Sequence, residues 1–139
     1  MNPTCNEPNR MPRILLADDN EVTRNMLGIM LKMSNYDIDF AENGQEVITM
    51  WEAIKYDLIL LDIQMPCMDG FEVTVILRDK ERISGTYVSI VAMTGHGFSE
   101  IEQRGQAVGM NAYIAKPINF KHCIQLIGET LKNKSVFKE

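Results

Sequence analysis

With 139 residues and 45% apolar composition, the chain can form one domain with a substantial core. A formal charge of −5 argues against a nucleic-acid surface, which would show clustered Lys and Arg. No apolar run nears the roughly 18 residues of a membrane span. The start MNPTCNEPNRMPR lacks the apolar centre of a signal peptide, so the reading is a cytoplasmic chain with no membrane contact.

Residues 1–12 hold three prolines among mostly polar side chains and read as a tail or linker. The apolar run RILLADD, 13–19, predicts the first strand. Asn20 can cap the helix that follows, with Val22, Met26, Ile29, Met30 and Met33 spaced to share one face. YDIDFA, 36–41, alternates and predicts a weaker strand. NGQEVITMWEAI predicts a short helix presenting Val47, Trp51 and Ile54. YDLILLD predicts the third strand, Phe71 to Arg78 the third helix, and RISG a loop behind it. YVSIVAMT, 87–94, predicts the fourth strand, and Ser99 to Val108 a polar helix closed by Gly109. NAYIAK predicts the fifth strand. The last helix spans Asn119 to Lys132, with Phe120, Cys123, Ile124, Ile127 and Leu131 facing inward, and 133–139 reads as a tail. Cys5, Cys67 and Cys123 have no metal-site spacing and read as reduced structural thiols.

Strands one, three and four are continuous apolar runs, the mark of a parallel sheet covered on both faces. Five strands alternating with helices predict a doubly wound α/β domain, flavodoxin-like, in the order 2-1-3-4-5. Ligands of such sheets bind beyond the carboxyl ends of the strands, at the switch point between strands one and three. Strand one ends on Asp18 and Asp19, strand three on Asp62, strand four on Thr94 and strand five on Lys116. Singly, these residues are ordinary turn, cap, strand or surface residues. Jointly, four of five strands ending on complementary polar groups at one edge favour a site. Three carboxylates about 4 Å apart, at an effective dielectric near 20, repel by about 4 kcal/mol per pair. One lysine does not balance them. A hard divalent cation does, which predicts Mg²⁺ and, with it, a phosphoryl group. Thr94 and Lys116 offer donors to phosphoryl oxygens, and a carboxylate can serve as nucleophile.

The motifs DD after strand one, LLDIQMPCMDG around strand three, MTG after strand four and AKP after strand five resemble, as a set, the receiver domains of two-component response regulators. The resemblance covers about residues 12–132. It implies that Asp62 is phosphorylated from a partner phosphohistidine, and that Asp19, Asp62 and the Gln64 carbonyl bind Mg²⁺. It further implies that Asp18 holds the metal or its water, and that Thr94 and Lys116 contact the phosphoryl group. Pro117 would follow a cis peptide bond, Gly70 would permit the turn after MPCMD, and Tyr113 would be the switch aromatic.

DIQMPCMDG with GMNAYIAKPI looks most like receivers attached to hybrid sensor kinases. The implied partners are a sensor histidine kinase or a histidine phosphotransfer protein. The fourth helix, fifth strand and fifth helix form the implied readout face, which also leaves room for a homodimer. Such a domain catalyses only its own phosphorylation and dephosphorylation and is not a classical enzyme. Gly95 stands where alanine is common in the family, Gly97 loosens the same loop, and Gln64 and His96 occupy variable places beside the acceptor. The alternative is a small Mg²⁺-dependent phosphohydrolase with an aspartyl nucleophile. Such enzymes carry an Asp-x-Asp pair where this chain has ADDN. A flavin or nucleotide binder would need a Gly-, Ser- or Thr-rich loop where this chain has DDNE.

Overall fold

The computed structural model describes residues 10–95 and 98–133. Five strands, β1 (Arg13–Ala17), β2 (Asp37–Ala41), β3 (Leu58–Asp62), β4 (Ser89–Thr94) and β5 (Ala112–Ala115), alternate with five helices. The helices are α1 (Glu21–Met33), α2 (Gly44–Ala53), α3 (Gly70–Ser84), α4 (Phe98–Val108) and α5 (Phe120–Asn133). All strand pairs are parallel, in the order β2-β1-β3-β4-β5. This is the expected doubly wound topology, with β1 and β3 adjacent at the centre.

β3 and β4 are buried at every position, because helices cover both faces of the sheet. Alternation along each strand divides the core in two. Leu15, Ile59, Leu61, Ile90 and Ala92 face Val47, Phe71, Val73 and Leu77. Ile14, Leu16, Leu58, Leu60, Val91 and Met93 face Leu27, Leu31, Cys123 and Ile127. No helix among the described residues is long and apolar enough to cross a membrane.

Three local expectations need correction. On α1 the buried residues are Leu27, Gly28 and Leu31, whereas Val22, Met26, Ile29 and Met33 are exposed and Met30 is half-buried. Both apolar sets fit a helical period; contact with Phe40 selects the second, because a Cβ on Gly28 would lie 2.6 Å from that ring. α3 runs to Ser84 rather than Arg78. A reciprocal cap between Asp69 and Glu72 starts it, and Gly85, left-handed at φ 77°, ends it. Phe120, expected inward, is 41% exposed at the start of α5, while Cys123 and Ile127 are buried.

At the amino-terminal end, Arg10 pairs with Asp57 at 3.1 Å and Pro12 accepts from the Asp37 N–H at 3.0 Å. Residues 1–9 of the expected amino-terminal tail, the carboxy-terminal residues from 134 on, and His96 and Gly97 lie outside the described residues.

Candidate functional site

The carboxyl edge of the sheet gathers the polar residues that end the strands. Asp18 follows β1 and is fully buried; its backbone N–H donates to the Ala41 carbonyl at 3.2 Å. One Asp18 carboxylate oxygen, Oδ1, accepts from the Asn20 N–H at 2.9 Å, fixing the turn into α1. Asn20 caps α1 by accepting from the Thr23 N–H, as expected from sequence. Asp19 is exposed at the rim. Asp62 ends β3 and is 3% exposed. Its Oδ1 accepts from the Gln64 N–H at 3.1 Å. Lys116 Nζ bridges the two buried acids, 3.2 Å from Asp18 Oδ2 and 3.4 Å from Asp62 Oδ2. Thr94, buried at the end of β4, is tied by its carbonyl to the Lys116 N–H at 2.8 Å.

Carboxylate oxygens of Asp18, Asp19 and Asp62 lie within 4.8 Å of one another. Four of the expected residues, Asp18, Asp19, Asp62 and Lys116, therefore converge, and Thr94 ends the neighbouring strand. The electrostatics show what the cluster lacks. Burial, and then the Asp18 charge, push the Asp62 carboxyl from 3.8 to about 6, although Lys116 and the Gln64 N–H oppose the rise. Burial disfavours the charge on Lys116, but Asp62 and Asp18 outweigh it and hold the amine above its ordinary value. One amine is not enough to make both buried carboxylates comfortable. The hard oxygen donors, their closeness and this residual repulsion fit a divalent cation such as Mg²⁺.

The loop after Asp62 is shaped by close approach. The Gly70 N–H donates to the Ile63 carbonyl at 2.8 Å. A Cβ on Gly70 would lie 2.9 Å from Ile63 Cα and 3.1 Å from the Asp62 carbonyl oxygen, so glycine is required there. Cys67 takes a left-handed φ of 72° in the same loop and is exposed. The Lys116–Pro117 peptide is cis, as the resemblance implies.

Two features escape the sequence reading. Arg24 reaches back from α1 to donate to the Asp18 carbonyl at 2.8 Å, and its side chain is 13% exposed. The available signal is a cation early in a helix, where the macrodipole disfavours it, beside an acid pair. The second is Glu102 on α4, whose carboxylate accepts from the Tyr113 hydroxyl. Burial, with this hydrogen bond behind it, raises Tyr113 to about 12. Tyr113 is half-buried on β5, and His122 is exposed on α5.

The profile of the response regulator receiver domain matches residues 14–128. A "Probable histidine kinase 1" of Oryza sativa subsp. indica is 32% identical over 87% of this chain, but the match covers only 16% of that kinase. The chain thus spans a small fraction of the kinases it matches. Among solved structures, the receiver domain of the sensor histidine kinase PA1611 of Pseudomonas aeruginosa PAO1 is 27% identical. It has a TM-score of 0.79, covers 89% of this chain and 100% of its own, and carries magnesium in its active-site cleft. The Saccharomyces cerevisiae co-crystal of the histidine phosphotransfer protein Ypd1 with the Ssk1 receiver domain also matches. It shows 26% identity and a TM-score of 0.83, covering 92% of this chain and 94% of the matched one.

Proposed function

The chain belongs to the response regulator receiver domain family, and on that premise we propose that Asp62 accepts a phosphoryl group from a phosphohistidine of a partner protein. The observation that carries this reading is the convergence of Asp18, Asp19, Asp62 and Lys116 beyond the ends of β1, β3 and β5. An Asp62 carboxylate oxygen forms the new P–O bond as the P–N bond of the donor breaks. The leaving imidazole nitrogen keeps the electron pair. Lys116 lies within ion-pair distance of the acceptor and offers its ammonium to the incoming oxygens. Thr94, at the end of the neighbouring strand, offers a hydroxyl. Asp18, Asp19, Asp62 and the Gln64 carbonyl would hold Mg²⁺, which supplies positive charge where negative charge gathers.

The chain's own groups assist the transfer and the later hydrolysis, with no separate substrate. Thr94 and Tyr113 form the switch: phosphorylation favours the state in which Thr94 reaches the phosphoryl group, and α4, β5 and α5 carry the readout. The partner is a sensor histidine kinase or a histidine phosphotransfer protein, and a homodimer through the readout face is compatible with this arrangement. The exposed apolar residues Val22, Met26 and Ile29 on α1 suit contact with a protein partner rather than a free small molecule. We assign residues 13–132 to the receiver unit, 1–12 to a tail or linker and 133–139 to a tail.

The test is incubation with acetyl phosphate and Mg²⁺, read by intact mass. Wild type should gain one phosphoryl group and Asp62→Asn none. Identical unmodified spectra for both would sink the reading.

A further inference from the structure

Resting on the acceptor and switch reading above, we infer that Arg78 is a positioning residue that fixes the carboxyl end of α4. The switch is then a swing of the amino-terminal half of α4 about that fixed end.

Arg78 lies on α3, yet most of its hydrogen bonds lead elsewhere. Its Nε donates to the Gly109 carbonyl at 2.9 Å, just past the end of α4. Its Nη2 donates to Asn111 Oδ1 at 2.9 Å, on the approach to β5. Its Nη1 donates to the Val88 carbonyl at 2.8 Å and to Glu81 Oε1 at 2.7 Å. The guanidinium lies over the Tyr87 ring, 4.6 Å from its centroid. A planar, fixed cation thus sits at the end of α4 where free carbonyls and the negative pole of the helix collect.

The partners are held in turn. Asn111 Oδ1 also accepts from the Ile90 N–H at 2.7 Å, and Asn111 Nδ2 donates to the Tyr87 hydroxyl. Glu81, 6% exposed, accepts through Oε2 from the Val88 N–H at 2.6 Å. Gly109, at φ 105°, turns its N–H back to the Gly105 carbonyl. A Cβ there would meet Arg78 at 3.1 Å. Each member has a fixed partner, which suits an immobile joint.

The other end of α4 is built differently. Among the described residues of this helix only Gly105 is buried, and it lies in the carboxy-terminal half, where Gln106 and Ala107 are exposed. Towards the amino end, Ser99 and Glu100 are exposed, while Ile101 and Glu102 are half-buried. Among the described residues, the Tyr113 hydroxyl ties Glu102, and Arg104, past the middle of the helix, lies over the Phe71 ring, 4.1 Å from its centroid. Phe71 directly follows Gly70, whose N–H donates to the carbonyl of Ile63, the neighbour of Asp62. Among the described residues, the end of α4 with fewer side-chain ties is therefore the one that follows Thr94, and the Arg78 joint lies at the other end.

The test is amide hydrogen exchange of the full chain with and without beryllofluoride and Mg²⁺. In wild type, exchange of residues 99–103 should change several-fold on adding the ligand, and Gly109, Met110 and Asn111 should not change. Arg78→Lys keeps the charge but loses the fork, so the ligand-dependent change should spread to 109–111. A generally weakened fold would instead raise exchange equally with and without ligand. Should Arg78→Lys fold poorly, Glu81→Gln loosens the same joint and should spread the change likewise. Equal ligand-induced changes at 99–103 and 109–111 in wild type overturn the inference, as does a confined pattern in the folded variant. A wild type whose exchange near Asp62 ignores the ligand, as Asp62→Asn should, overturns the acceptor reading and this inference with it.

Discussion

Replacing Asp62 by asparagine should stabilise the protein when no divalent cation is present. Burial, with the Asp18 charge second, lifts the folded carboxyl from 3.8 to about 6. A carboxyl raised in this way is penalised in its ionised form by folding. The penalty is complete above about pH 6 and fades as pH falls from there towards 3.8. At roughly 1.4 kcal/mol per pH unit, the gap between 3.8 and about 6 is worth about 3 kcal/mol. The side chain is only 4% exposed, so water screens little of it. Asparagine cannot match the Lys116 contact, which leaves a net gain of about 1–3 kcal/mol, or ~3 °C of Tm per kcal/mol. The assay is thermal melting of wild type and Asp62→Asn with a chelator, from about pH 8 down to about pH 4. The variant should melt higher at the alkaline end, and the two should converge at the acid end. Millimolar Mg²⁺ should then raise the wild type by mass action and the variant by less. A variant that melts below wild type at alkaline pH in chelator would refute the repulsion argument. So would a wild-type Tm that ignores Mg²⁺.

Gly70→Ala should cost about 1–3 kcal/mol in urea unfolding and slow adduct formation, because the new Cβ meets backbone of Ile63 and Asp62 rather than a movable side chain. Arg78→Ala should cost about 3–5 kcal/mol by leaving buried Glu81 unpaired, while the folded fraction still takes up phosphate from acetyl phosphate. Leu27→Ala should cost about 2–5 kcal/mol, and Ile29→Ala on the same helix less than about 0.5 kcal/mol; equal costs would reverse the assigned face of α1.

The order of elements and the convergence at the sheet edge were legible because each rests on a strong local signal. Continuous apolar runs mark strands buried on both faces, and the runs of β1, β3 and β4 each stop at a polar residue that is itself buried at the carboxyl edge. The α1 face was not legible for a reason of the same kind. Val22, Met26, Ile29 and Met33 keep a helical period, and so do Leu27 and Leu31. Period alone does not rank two apolar stripes. The Gly28–Phe40 contact that does so crosses from α1 to β2. α3 was cut short because DKERISG is polar, while Arg78 and Glu81 are oriented by Val88, Gly109 and Asn111, distant in the chain.

The two ends of the sheet carry polar clusters of opposite character. At the amino ends of β4 and β5, the cation of Arg78 meets the carboxylate of Glu81, two carbonyls and an amide, all in mutual hydrogen bonds. Such a cluster has nothing to gain from a ligand and adds rigidity. At the carboxyl ends, two buried carboxylates share one ammonium, and a third acid waits at the rim. Burial, and after it the Asp18 charge, raise the Asp62 carboxyl to about 6 against the pull of Lys116. Arg24 does not resolve this, since its guanidinium binds the Asp18 backbone carbonyl and, at 3.7 Å, Glu42 rather than the acid oxygens of Asp18 or Asp62. Only the cluster left incomplete by its own chain can change energy when a cation and a phosphoryl group arrive. On the switch proposed above, that energy would pass through Thr94 to the amino-terminal half of α4.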